Sequence, residues 1–514
     1  MYGILLSELV SILAVFFSVH HIFTYLYDPK KLRRFPGVSI APFTNAWGVL
    51  HQFFHTRTIA VHEAHLKYGK AVRVGPSHIS FSTLEAIRDI YGHGTPALKD
   101  DFYKAFVSTH LNVSDAQEKS VHSTKRKRFA VAFAQKSIVE LESVCRDLLI
   151  RLKNALDNKV GQEVDMKNMM LYTMYNAISI TMFNEDPRFI ERDSTVVTAE
   201  TPSGELYEAD LHDSQRRAAH VSVSVAWAPR MIPYIKGLTP WWGEWKDGDR
   251  LRDIIIHFVR NRLRMDKERI QCGQEPLDDF MTTLLWDKKK RALCLELGEL
   301  VTEAQNMFTA AGENTEIALT NIIWLLVRTP RAAERLRQEL NEAFATSAEP
   351  MIIPSYDMIK DLPYLRACID EGLRLRPSLP GGLPRVVPKG GMRVSGEWFE
   401  EGTTISVSTH TVHRDPSIFG EDPESYVPER WLQPGSNRLQ RGFLAFSQGG
   451  RACLGRNIAY FQMQLIIATL FRRYDFALRK PDWELEVKEA FSGHTEPLPI
   501  KVLEVRKSNT IAVN

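Results

Sequence analysis

The order Phe446-x-x-Gly449-x-Arg451-x-Cys453-x-Gly455 constrains this chain more than any other stretch. A glycine-rich loop delivers one cysteine to the start of an apolar run, Leu454 to Phe471, whose spacing predicts a helix. Gly449, Gly450 and Gly455 admit backbone conformations and close approaches that a side chain would block. The free N–H groups and positive end of a helix favour negative charge and lower a thiol's pKa. Cys453 therefore reads as a thiolate offered to a flat, bulky partner. The plainer reading is a buried, inert cysteine after a tight turn, which is what most lone cysteines are.

The full motif resembles the haem-binding signature of the cytochrome P-450 family of haem-thiolate monooxygenases. That resemblance implies haem b as cofactor, Cys453 as the axial ligand of its iron, Arg451 as partner of a haem propionate, and Phe446 as a residue at the haem. It implies a mainly α (α+β) fold, an α-dominated haem domain with small β-sheets. An axial thiolate donates electron density that favours O–O cleavage.

Composition agrees with such a body. At 514 residues, 44% hydrophobic and 25% charged, the chain can bury a sizeable core. A net charge of +3 gives no argument for nucleic acid. Cysteines 145, 272, 294, 368 and 453 form no C-x-x-C pair and no zinc spacing, which argues for a reducing compartment.

Ile4 to Leu26 is an apolar run of about twenty residues, enough to cross a bilayer once. Lys30, Lys31, Arg33 and Arg34 follow it at once, so the rest is expected on the cytoplasmic side. A cleavable signal peptide would carry its charges in front. We therefore expect a signal anchor at 1–27, a basic and proline-bearing hinge at 28–40 with Phe35-Pro36-Gly37, the haem domain at 41–505 and a tail at 506–514. The expected location is the endoplasmic reticulum membrane, single-pass. On that side the sequon Asn112-Val113-Ser114 stays unmodified.

Within the body, Thr58 to Tyr68 and Leu84 to Tyr91 carry helical spacing, and 70–81 alternates like two strands joined at Gly75-Pro76. His122 and Arg126 stand one turn apart on a helix face. The resemblance implies a propionate contact for both, with His122 where a tryptophan is common; a core histidine is the plainer reading. Residues 137–184 read as helix. From Thr201 to Trp245, prolines among tryptophans read either as a mobile lid or interface-dipping segment, which the resemblance implies would cover the substrate channel, or as an irregular surface loop.

Leu297 to Thr329 is free of proline and predicts a helix of roughly 50 Å at 1.5 Å per residue. Its middle reads Ala310-Ala311-Gly312-Glu313-Asn314-Thr315-Glu316. A mid-helix glycine costs about 1 kcal/mol against alanine, so a packing or functional reason is expected. Beside a haem, Ala311 and Gly312 leave space for dioxygen, and Thr315 offers a hydroxyl for relaying protons. The family pattern is Ala-Gly-x-Asp/Glu-Thr-Thr. Here Asn314 takes the acidic position and Glu316 replaces the second threonine, so Glu313 or water has to substitute in proton delivery.

Glu371 and Arg374 share a face of the helix Leu362 to Arg376, and Pro428-Glu429-Arg430-Trp431 follows in the family's order. The resemblance implies a buried network of Glu371, Arg374 and Arg430, and a propionate contact for Arg385. No nucleotide-binding glycine fingerprint is present, so electrons are expected from a separate NADPH–cytochrome P-450 reductase, with O2 as co-substrate. The closer likeness is to a fungal group that includes benzoate para-hydroxylases. We expect a small hydrophobic or aromatic substrate in a secondary-metabolite pathway, with a benzoate para-hydroxylase as alternative. Phe102, Phe106, Phe308, Ala311, Leu379 and Phe491 are the expected pocket. An isomerase or dehydratase needing no external electrons, or a non-catalytic haem sensor, stays open; Thr315 argues against both.

Overall fold

The computed structural model describes residues 19–504 apart from 131, 132, 134, 288, 290 and 346–352, and it describes 135–140 by backbone alone. Eleven helices are used below: α1 (Ala46–Phe53), α2 (Arg57–Tyr68), α3 (Lys119–Phe129), α4 (Gln135–Asp157), α5 (Met166–Phe183), α6 (Leu211–Ala226), α7 (Gly243–Gln271), α8 (Leu297–Arg328), α9 (Pro330–Phe344), α10 (Pro363–Leu375) and α11 (Arg456–Arg473). The strands used below are β1 (Ala71–Gly75), β2 (His78–Phe81), β3 (Leu98–Lys99), β4 (Glu163–Asp165), β5 (Val196–Glu200), β6 (Leu206–Asp210), β7 (Arg385–Val386), β8 (Thr404–Val407), β9 (Tyr474–Leu478), β10 (Val487–Glu489), β11 (Gly493–Thr495) and β12 (Pro499–Glu504).

The long α8 is the axis of the molecule. Twenty-one of its 32 residues are buried, because its apolar positions run round most of its circumference. It packs on α5, α7, α10 and α11, and these faces close one large core. Helices therefore dominate, as the sequence predicts, and small sheets stand at the edge. One has strand order β1-β2-β8-β7-β3; β9, β12 and β4 form another, and β5–β6 and β10–β11 are hairpins. The β1–β2 turn falls at Gly75-Pro76, where expected.

Four expectations change. The 137–184 region is two helices separated by β4, which pairs with β12. The stretch 201–245 is ordered and largely helical: β6 pairs with β5, and α6, a turn at Pro229–Met231, a helix at Ile232–Leu238 and the start of α7 follow. The hinge is docked on the body: Phe35 stacks on Phe399 at 5.4 Å and the Lys30 ammonium donates to the Gly402 carbonyl at 2.6 Å. The cysteine does not open its helix, because α11 begins at Arg456, three residues on.

The expected span at Ile4 to Leu26 lies mostly outside the described residues; 19–27 are helical. Among the described residues, no helix is long and apolar enough to cross a membrane. Asn112 of the sequon is buried, its amide donating to Asp115.

Candidate active site

A cavity of about 720 Å³ lies between α8 and the cysteine loop, reaching outward under α6 and α7. The loop owes its shape to Gly449. That residue sits at φ +69°, and a β-carbon there would stand 2.0 Å from the Tyr91 carbonyl oxygen. The turn then brings the Cys453 amide to the Phe446 carbonyl, which accepts its hydrogen bond at 2.9 Å. Phe446 itself packs on Tyr460 of α11, 5.0 Å between ring centroids, and lines the cavity with Cys453.

Cys453 is exposed by surface area yet surrounded by protein. Its exposure is to the cavity, which it lines. Burial pushes its thiol up. The amides of Gly455 and Arg456, and the charges of Arg126 and Arg456, pull the other way. The helix-end contribution expected from sequence is thus present but does not outweigh desolvation.

Four expected cofactor contacts converge on one wall. Arg126 and His122 come from α3, Arg385 from β7 and Arg451 from the cysteine loop, and all line the cavity. Arg126 donates to the Ala452 carbonyl at 2.8 Å. Arg451 donates to the carbonyls of Ala116 and Gln117 at 2.7 and 2.8 Å. Arg385 donates to the Tyr103 hydroxyl and the Pro384 carbonyl, each at 3.0 Å. None of these three guanidiniums pairs with a carboxylate of a described residue.

The sequence reading misses Lys99, which lies directly across from Arg385 in the β3–β7 ladder. Like charges opposed in a strand pair repel. Burial, then Arg385 and Arg451, hold the Lys99 ammonium well below its usual range. Burial, then Arg385, bring Arg451 down to about 10, and burial, then Arg451, bring His122 down to about 4. No local pattern announces Lys99, because its partner is 286 positions away in the chain. Asp115 stands beside Lys99, but Arg126, Arg385 and Arg451 form no ion pair with a carboxylate of a described residue, and such a set of cations calls for an anionic partner. A haem brings two carboxylates, so these residues fit the group that the resemblance implies.

Opposite, α8 offers Ala311, Asn314, Thr315 and Ala318 to the cavity, at the three- and four-residue spacing of one helix face, and Glu313 at its margin. The Thr315 hydroxyl takes no partner among the described residues, whereas Asn314 is engaged. Its amide donates to the Ala310 carbonyl at 3.1 Å, and its own carbonyl accepts from Ser378 at 2.6 Å.

Gly312 does not line the cavity. A β-carbon there would meet the Tyr175 ring at 2.8 Å, so this glycine lets α8 approach α5. Space on the cavity side comes from Ala311. Of the expected pocket, Phe106, Ala311, Leu379 and Phe491 line the cavity. Phe308 does not; it is fully buried among Tyr175, Phe183 and Phe258. Phe102 stands behind Phe106 and Phe491, stacked near Trp227.

The network beneath the site forms around one carboxylate. Glu371 accepts from Arg374 at 2.8 and 2.9 Å, from Arg430 at 2.9 Å, from the Trp431 indole at 2.9 Å and from the Val427 amide at 3.0 Å.

Comparison with known proteins agrees with this geometry. The profile of the family Cytochrome P450 matches residues 41–503. Benzoate 4-monooxygenase of Aspergillus niger is 30% identical over 504 residues, covering 94% of each chain. Cytochrome P450 monooxygenase atr2 of Stereocaulon alpinum is 28% identical, covering 97% of this chain and 96% of its own. Pisatin demethylase of Fusarium vanettenii is 27% identical, covering 96% and 94%. With the cysteine loop, the cationic wall and the long helix meeting at one cavity, the chain belongs to the cytochrome P450 family of haem-thiolate monooxygenases.

Proposed function

We propose that this monooxygenase binds its haem through Cys453 and the wall of Arg126, Arg385, Arg451 and His122, and oxidises a small apolar or aromatic substrate in a fungal secondary-metabolite pathway. The observation that carries the site assignment is the cationic wall, part-buried and without an ion-pairing carboxylate among the described residues, on the same cavity as the Cys453 sulfur and the Thr315 hydroxyl. Once bound, the haem supplies dioxygen activation and oxygen insertion. The chain's own residues do the rest. Arg126, Arg385 and Arg451 neutralise the two propionates and fix their orientation. The Thr315 hydroxyl holds water and passes protons at the α8 face. Phe106, Leu379 and Phe491 exclude bulk water and orient an apolar substrate.

Carbon monoxide difference spectra test the ligand. The parent should show the thiolate-type band, and Cys453→Ser should lose it; a retained band overturns the assignment.

Electrons come from the microsomal NADPH–cytochrome P-450 reductase. The chain sits in the endoplasmic reticulum membrane through residues 1–27, with its body on the cytoplasmic side. Exposed Tyr234, Leu238 and Trp241 support a second contact with that membrane. Phe53 of α1, which packs against Trp242 at 6.3 Å between ring centroids, extends the same surface.

A second substrate reading rests on the likeness to the benzoate 4-monooxygenase of Aspergillus niger. Titrating the ferric protein with benzoate separates the two. A low- to high-spin shift moves the assignment to aromatic-acid hydroxylation, and a thiolate spectrum without a shift favours a bulkier metabolite.

A further inference from the structure

Behind α8, on the side away from Thr315, lies a buried group of ionisable residues, of which the sequence alone points to Glu313 for proton delivery. Glu313, Glu316 and Thr320 stand at helical spacing on that face, all buried. Glu313 Oε1 meets His494 Nδ1 of β11 at 3.0 Å, and the Nε2 of that histidine is buried without a hydrogen-bond partner. Glu316 accepts from the Thr320 hydroxyl at 3.0 Å. Lys167 of α5 donates to His212 of α6 at 2.8 Å. Towards solvent, Glu496 is met by Arg216 at 3.5 Å and by Lys488 at 3.1 Å.

Two features join this group to the cavity. Glu313 belongs to both, since it lines the cavity and pairs with His494. Asn314, at the acidic position of the family pattern, has no proton to exchange, and its amide is tied to Ala310. We propose that Glu313, paired with His494, is the group that hands protons from the exterior to the cavity of this chain, in place of an acid at position 314.

The step is a proton transfer alone. The imidazolium of His494 gives its Nδ1 proton to Glu313 Oε1. Glu313 releases that proton to water at the cavity, which it lines. The neutral ring then moves its remaining proton from Nε2 to Nδ1 and takes a new one from solvent at Nε2, which has no protein partner among the described residues. Reducing dioxygen to two waters consumes two NADPH and two further protons, whereas stopping at hydrogen peroxide consumes one NADPH and one proton. A failure of proton supply therefore shows as peroxide.

The ionisable groups beside the pair are Tyr175 of α5, His212 and His220 of α6, and Glu316, with Lys167 of α5 next to Glu316 and His212. Burial pushes Glu316 up to about 7, opposed first by Lys167, and burial with Lys167 holds His212 well below its usual range, so it is neutral. Glu316 is then a second store of protons beside Glu313.

The inference rests on the haem-thiolate reading, and the test separates the two. Substrate-free holoenzyme is mixed with the reductase and NADPH, and hydrogen peroxide per NADPH is measured. Glu313→Gln and His494→Gln are each expected to raise the peroxide share and to slow NADPH oxidation by roughly tenfold or more. Adding Asn314→Asp to Glu313→Gln should reverse both changes. Infrared spectra of the ferric holoenzyme give a readout without turnover. A deuterium-sensitive protonated-carboxyl band should titrate near neutral pH, vanish in Glu316→Gln and shift in Glu313→Gln and His494→Gln. Loss of the thiolate-type band in the parent would sink the underlying reading. An intact band, with peroxide share and infrared band unmoved by changes at 313 and 494, overturns the inference alone.

Discussion

At the scale of single residues, two positions on α8 carry opposite costs. Gly312 gives up helix propensity so that the Tyr175 ring can lie against the backbone. Replacing it by alanine regains about 1 kcal/mol of propensity but drives a β-carbon to 2.8 Å from a fully buried ring. Overpacking of that kind costs about 1–3 kcal/mol. Gly312→Ala should therefore lower Tm by a few degrees, and Tyr175→Leu in the same chain should give less loss than the sum of the single changes. Unchanged stability with altered oxygen consumption would instead assign the glycine to the cavity. Glu316 has the other kind of cost. Burial raises its folded pKa to about 7, above the usual carboxylate value of 4.5. Between those values the folded state holds a proton that the unfolded chain has released, so stability falls as pH rises through that window and stays lower above it. Glu316→Gln removes this dependence. Chemical denaturation should find it more stable than the parent at pH 8, on the order of 3 kcal/mol, and near parity at pH 4.5. A gain at pH 4.5 equal to that at pH 8 would show that the carboxyl does not titrate in the folded state.

At the scale of elements, α10 is held to the segment before the cysteine loop by three hydrogen bonds onto Glu371, from Val427, Arg430 and Trp431, and by Arg374 donating to the carbonyls of His413, Pro423 and Ser425. Both Glu371 and Arg374 are fully buried. Glu371→Gln leaves Arg374 and Arg430 without a counter-charge, which typically costs about 3–5 kcal/mol. The variant should give much less haem-loaded protein, and what folds should unfold at lower denaturant; parent-like unfolding would show that the backbone carbonyls suffice. This network was legible in the sequence because its members sit in two short patterns, Glu-x-x-Arg and Pro-Glu-Arg-Trp, each with a fixed local geometry. The helices were legible for a similar reason, since apolar spacing runs through α8 up to Pro330 and prolines stand at both ends of α10. The Glu313–His494 pair was not. Its members come from α8 and β11, and a contact between residues 313 and 494 leaves no periodicity to read. The roles of Gly312 and Phe308 were misjudged because a helix pattern gives the spacing of its faces without saying what each face meets.

At the scale of the whole molecule, the same difficulty governs the 201–245 stretch. Its prolines and tryptophans break periodicity, so neither reading from sequence anticipates the helices that form, yet its exposed side chains remain the informative part. Leu238 is 72% exposed and Trp241 74%, which is unusual for large apolar groups on an ordered surface. Fully burying a side chain of this size is worth about 1.5–3 kcal/mol, and an interfacial site takes only part of that. If this face rests on a bilayer, a chain lacking residues 1–27 should still bind phosphatidylcholine vesicles in sedimentation. Its tryptophan emission should shift to the blue, by an amount that disappears in Trp241→Phe. Leu238→Ser with Trp241→Ser should weaken vesicle binding by roughly tenfold or more. Neither change touches the cavity, so the carbon monoxide band should stay at its parent height. Binding that survives both serines would place the contact elsewhere, and a trimmed chain that ignores vesicles altogether would leave residues 1–27 as the whole of the attachment.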